Sequence, residues 1–162
     1  YPLGNFSSAG LLVVIILMFI GASPGSTGGG IKTSTFFVLL QGIKSAATNK
    51  SKKAFHYAVP KNAFSKAAII TAIGAAIVLT GTYIMLVLQP ELSFIDVFFE
   101  VTCAFSTSGL STGITQQLGM GAKLLSIIIM YAGRLGPLTI VTVWYFSKGE
   151  RVSYPEGNIS VG

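Results

Sequence analysis

A chain of 162 residues is one soluble domain by length alone, but only 10% of its residues are charged, against roughly 25% in soluble domains. With 51% hydrophobic residues and a mean hydropathy of +0.71, the composition excludes an ordinary water-soluble enzyme and points to a membrane. The net charge is +6, yet the basic residues cluster instead of interleaving with aromatics along the chain, which argues against nucleic acid as a partner. The single cysteine, Cys103, excludes an internal disulfide and a cysteine metal cluster, and reads as a small buried residue. Neither an initiator Met nor a charged stretch precedes the first apolar run, so no signal peptide is read, and the start at Tyr1 reads as a truncation.

In chain order, the first apolar segment, residues 9–22, covers about 21 Å as a helix, too little for a bilayer core of about 30 Å. It runs into GASPGSTGGGIKTST, residues 21–35, dominated by glycine and short hydroxyl residues. A phosphate-binding loop of the form G-x-x-x-x-G-K-[ST] is one reading of that stretch, but the register fails. Ile31 instead of glycine precedes Lys32, and Gly25 lies seven residues before the lysine instead of six. The other reading is a break inside a membrane helix spanning residues 9–47. Glycine lets the backbone leave the helix. The polar groups so exposed cannot face lipid, so the loop must line a cavity or be buried in protein. Lys32 within it is an intramembrane charge and hence a functional candidate. A loop of this kind in an ion path is an obstacle that can move, which makes it a gate.

Residues 48–66 form a basic linker, with Lys50, Lys52, Lys53, Lys61 and Lys66 following Lys44. His56 reads as a solvated surface residue. Residues 67–88 carry no charge for 22 positions and span about 33 Å, enough to cross, with Gly74, Ala75, Ala76 and Gly81 as small-residue packing faces. In SFIDVFFEVTCAF, Ser93 and Asp96 make an S-x-x-D start signal for a helix over 94–106. At about 20 Å it is too short to span, and Asp96 and Glu100 make it too acidic; it reads as re-entrant. Asp96 suits the positive start of that helix, and Glu100 is expected to accept hydrogen bonds deeper in. STSGLSTG, residues 106–113, follows the partly negative helix end, where extended backbone can present carbonyls to a dehydrated cation and Gly109 permits the dihedrals this needs. A last span over 124–147 contains Arg134, with a kink expected at Pro137. Counting Lys and Arg, eight lie in residues 44–66 and beyond 147, against Lys123 alone between the full spans. The linker 44–66 and the C-terminus are therefore placed in the cytoplasm.

MFIGASPGSTGGGIKTSTF (18–36), FFEVTCAFSTSGLSTGIT (98–115) and MYAGRLGPLT (130–139) resemble the Trk/Ktr/HKT superfamily of potassium transporters, and most of all the bacterial Ktr membrane subunit. The resemblance covers nearly the whole chain. It implies an all-α membrane protein containing one potassium-channel-like pore-loop repeat (M1–P–M2), preceded by the broken transmembrane helix of the repeat before. The implied organisation is the end of the third repeat over 1–47, the linker 48–66, the fourth repeat over 67–149 and a cytoplasmic tail over 150–162. On this likeness Thr107, Ser108, Gly109, Leu110 and Ser111 match the fourth filter strand, with potassium held by the carbonyls of Thr107, Ser108 and Gly109. Gly25, Ser26, Thr27, Gly28, Gly29, Gly30 and Lys32 match the intramembrane gating loop, and Arg134 matches an arginine that contacts it. The first two repeats and the third filter strand are lacking, so the chain is not a complete pore.

The expected function is potassium uptake across the cell membrane by a multi-pass protein that performs no covalent chemistry and binds no covalent cofactor. Selectivity over sodium stays open. The likeness further implies a homodimer in membrane lipid and a cytosolic ring of nucleotide-binding regulatory subunits. An unpaired mid-membrane arginine costs roughly 3 kcal/mol, so Arg134 is expected to be held by loop carbonyls and to pin the closed loop, and Arg134→Ala to raise flux. Two rivals remain: an alternating-access transporter with a midplane site and, far behind, a nucleotide-binding enzyme.

Overall fold

The computed structural model describes residues 6–48, 53–54, 57–58 and 62–136. Helix α1, Ser8–Phe19, starts at Ser7, whose hydroxyl accepts from the Gly10 amide at 3.2 Å, one of the orphan donors every helix start must satisfy. Apolar residues surround α1 on all sides. Leu11, Ile15 and Met18 are buried at helical spacing, while Leu12, Val13, Ile16 and Leu17 are exposed. A helix apolar all round suits a membrane or a larger protein core, not water.

The chain then leaves the helix at Ile20 and re-forms one at Thr33, as α2, Thr33–Thr48. Ile20 and Ile31 form an isolated parallel bridge, closed by a 3.1 Å bond from the Ile31 amide to the Phe19 carbonyl. Parallel pairing means that the chain resumes the direction it left. Residues 21–30 are thus a sideways excursion from one interrupted path. In the linker, Lys53–Ala54 pairs antiparallel with Tyr57–Ala58 as strands β1 and β2. This two-residue pairing is a small departure from the all-α expectation.

Helix α3, Ala63–Leu88, is the one described helix long and apolar enough to cross a membrane. It begins four residues before the expected span, because Lys66 in its first turn can carry its charge outward along its own stem. Only 28% of its most apolar window is buried, so it is not the core helix of a soluble domain. Gly74 and Gly81 are buried and Ala76 is exposed, so the glycines make the close approach. A Cβ on Gly81 would lie 2.6 Å from Ile129 Cδ1 of the last helix.

Helix α4 occupies Phe94–Ser106, the expected bounds. Ser93 stands at its start in extended conformation, but its hydroxyl makes no cap bond; the position is as read and the hydrogen bond is not formed. Val97, Phe99, Val101 and Phe105 are fully buried, between α1 on one side and α3 and α5 on the other. Helix α4, short as it is, is therefore the centre of the packing. Helix α5, Met120–Leu135, starts four residues before the expected span. It stops at Gly136, which takes φ +82°. The residue before a proline is disfavoured in helix, in keeping with the non-helical Gly136. The expected kink at Pro137 and the remainder of the span to 147 lie outside the described residues, as do the tail from 150 and most of the linker, including His56.

Candidate ion-path site

The end of α4 is built like a glycine-capped helix but without glycine. The Thr107 amide donates to the Ala104 carbonyl at 3.2 Å and the Ser108 amide to the Cys103 carbonyl at 3.3 Å. These two bonds define a Schellman end, whose left-handed position usually holds glycine. Thr107 occupies it at φ +52°, the one non-glycine residue with positive φ among those described. A β-branched residue there is strained by about 1–2 kcal/mol. Gly109 follows at φ +77°. Between them the backbone is irregular, and Ser108, Gly109 and Leu110 are exposed.

Side chains hold this strand from behind. Glu100 is 8% exposed, and its carboxyl oxygens accept from Ser111 Oγ at 3.1 Å and Thr115 Oγ1 at 2.5 Å. Ser111 Oγ also accepts from the Gly113 amide at 3.0 Å. This is the hydrogen-bonding role expected for Glu100. Cys103 Sγ donates to the Leu110 carbonyl at 2.7 Å, so that carbonyl is turned into the protein. By contrast, the carbonyls of Thr107, Ser108 and Gly109 accept no hydrogen bond among the described residues. A cavity of about 420 Å³ lies beside them, lined by Glu100, Thr107, Gly109, Ser111 and Lys123 among others. The Thr112 hydroxyl is buried without a partner among the described residues.

The glycine loop meets the same point from the other side. Gly25 and Gly30 take φ +85° and +79°. Ser23 to Thr27 are exposed, and Gly29 to Ile31 are buried. The Gly29 amide donates to Thr107 Oγ1 at 3.0 Å. A Cβ on Gly29 would stand 2.7 Å from the Phe105 carbonyl oxygen, and one on Gly133 would overlap that same oxygen. Two glycines from distant segments thus admit the loop and α5 to the last turn of α4. Lys32 Nζ donates to the carbonyls of Gly28 at 2.7 Å and Ser26 at 3.1 Å, satisfying groups that the break in the helix leaves open.

Arg134 departs from expectation. It lines an open cavity of about 570 Å³ with Thr27, Gly28, Thr107 and Tyr131, but it is exposed and makes no hydrogen bond among the described residues. Lys32, four residues from Gly28, reaches the loop carbonyls first. Arg134 instead sits in the last turn of α5, where a positive charge suits the helix end. The structure therefore brings Gly28, Gly29 and Lys32 of the expected gate together with Thr107, while Gly25, Ser26 and Thr27 form the exposed tip. Sequence reasoning missed Thr115, Met18 and the contact role of Gly133. Ser108 Oγ lies 3.0 Å from Met18 Sδ and 3.3 Å from Cys103 Sγ, a cluster no spacing rule would find.

The sequence profile of the TrkH family, described as cation transport protein, matches residues 1–150. The chain is 35% identical to Ktr system potassium uptake protein B of Vibrio alginolyticus over 99% of its own length and 35% of that protein's. It is 35% identical to Ktr system potassium uptake protein D of Bacillus subtilis, over 99% of this chain and 36% of the relative. It is 34% identical to the potassium/sodium uptake protein NtpJ of Enterococcus hirae, over 98% and 37%. The chain spans about a third of the length of these curated relatives. A family of cation transporters works in the membrane, in keeping with the apolar composition and with α3. The chain belongs to the TrkH family of cation transport proteins.

Proposed function

We propose that this chain is the C-terminal portion of a potassium uptake protein, contributing one filter strand and one gating loop to a pore completed by further repeats. Residues 1–47 supply the broken helix and 67–149 the fourth pore-loop repeat. Potassium passes the carbonyls of Thr107, Ser108 and Gly109, with Leu110 and Ser111 completing and fixing the strand. The loop over 21–35 obstructs the path beneath. The observation that carries this reading is that Thr107, Ser108 and Gly109, at the end of a buried half-helix, leave their carbonyls without a hydrogen bond among the described residues, while Glu100 and Cys103 tie the following residues of the strand from behind. Such carbonyls replace the hydration shell of a cation. The relatives' names, potassium uptake and potassium/sodium uptake, support the ion and leave sodium as a second candidate. Assembly as a homodimer in lipid, regulated by a cytosolic nucleotide-binding ring at the basic linker and C-terminal tail, belongs to the same proposal.

The test is uptake by the full-length parent protein in cells lacking their own potassium systems. Gly109→Ser should lose preference for potassium over sodium, because a side chain at φ +77° displaces the strand. Deleting Gly25 to Gly30 should raise flux. If neither selectivity nor rate changed, alternating access would replace the filtered pore as the mechanism.

A further inference from the structure

Among the described residues, one hydrogen bond ties the excursion 21–32 to the rest of the protein. Lys32 bonds to Ser26 and Gly28, the Ser26 amide to Ser23, and the Ile31 and Thr33 amides to Phe19 and Ala22. All of these lie within the interrupted path itself. The exception is the Gly29 amide, which crosses 78 positions to Thr107 Oγ1 at 3.0 Å. The acceptor is the residue that ends α4 in a left-handed conformation and whose carbonyl opens the strand proposed as the filter.

We propose that Thr107 is a positioning residue that latches the loop to the filter strand through its side-chain oxygen. This rests on the reading of 21–35 as the gate, and adds the residue that holds it shut. A glycine would serve the left-handed position without strain, but it offers no acceptor. Thr107 both ends the helix there and receives the Gly29 N–H. The same backbone carries the first filter carbonyl, so the loop cannot withdraw without releasing Thr107. Coupling of this kind is reciprocal: occupancy of the strand by an ion biases the loop as much as the loop biases the strand.

The experiment measures basal potassium flux of the full-length transporter in proteoliposomes, for wild type, Thr107→Val, Thr107→Ser and a deletion of Gly25 to Gly30 combined with each. Valine keeps the shape and branching and removes the acceptor. Basal flux should rise about fivefold, the shift that one ordinary hydrogen bond imposes on a two-state equilibrium. Serine, which keeps the oxygen, should raise it far less. In the deletion background the valine effect should vanish, because the donor is gone. If the deletion leaves flux unchanged, the gate reading fails and the latch with it. If the deletion raises flux and valine does not, or valine acts equally in both backgrounds, the latch alone is overturned. Should the valine variant not reach the membrane, hydrogen exchange of the wild-type protein decides: the Gly29 amide should exchange well below those of the exposed loop tip, and equal rates would overturn the latch.

Discussion

Thr107 occupies a position that most helix ends give to glycine, and the energies can be set against one another. Thr107→Gly relieves about 1–2 kcal/mol of left-handed strain, adds about 0.5–1 kcal/mol of chain entropy and loses one hydrogen bond worth about 1 kcal/mol. These nearly cancel, so thermal unfolding of the purified full-length protein should shift little. Glu100 is a different case. Glu100→Ala removes the acceptor of the Ser111 and Thr115 hydroxyls; Ser111 is half-buried and Thr115 exposed, so the loss is about 1 kcal/mol, that of an ordinary hydrogen bond. We expect lower melting temperature together with poorer potassium preference, and Glu100→Gln, which keeps one acceptor, to fall between. A variant that lost stability with intact preference would confine Glu100 to a packing role.

At the scale of elements, α5 and the loop converge on the last turn of α4 because glycine stands at both contact points. Gly133→Ala would drive a methyl group into the Phe105 carbonyl. Backbone cannot yield as a flexible side chain does, so a loss of about 2–3 kcal/mol is expected. Gly121→Ala on the same helix meets Leu88 only at 3.7 Å, and should be neutral or stabilising by up to about 1 kcal/mol from helix propensity. Melting curves of the two variants separate contact from propensity. The loop has its own internal clasp. Lys32→Met removes both donors to Ser26 and Gly28 and should raise basal flux more than Arg134→Ala, because Arg134 makes no bond to the loop among the described residues. The reverse ranking in a flux assay would return the clasp to the arginine.

At the scale of the whole molecule, apolar surface is the dominant fact. Leu17 is 63% exposed and Ile128 65%, on helices α1 and α5, so the surface suits lipid or a larger protein core, not water. On the charge asymmetry we propose that the linker 44–66 and the C-terminus face the cytoplasm. In the full-length protein, a cysteine at Lys123 should react with an impermeant thiol reagent in intact cells, and one at Lys52 only after permeabilisation. Cys103, the one cysteine of this chain, is buried and should give little background once any cysteines elsewhere in the full-length protein are replaced. Labelling of Lys52→Cys from outside would invert the topology.

The membrane environment and the segment lengths were legible in the residues alone, because each depends on local sums: hydropathy over a window and rise per residue. Helix α4 falls on residues 94–106 as read, since its start signal and the glycine and hydroxyl stretch after it bound it on both sides. The interruption between α1 and α2 was legible for the same reason: glycine, proline and serine between two apolar runs leave few alternatives. What the tertiary structure decided is which distant groups meet. Gly29 finds Thr107, Gly133 finds Phe105, Thr115 finds Glu100, and Lys32 takes the loop carbonyls assigned to Arg134. One sequence carries the chemistry of each partner but not their separation in space. That separation is set by how three helices, α1, α3 and α5, pack around α4, a relation between segments that no single segment encodes.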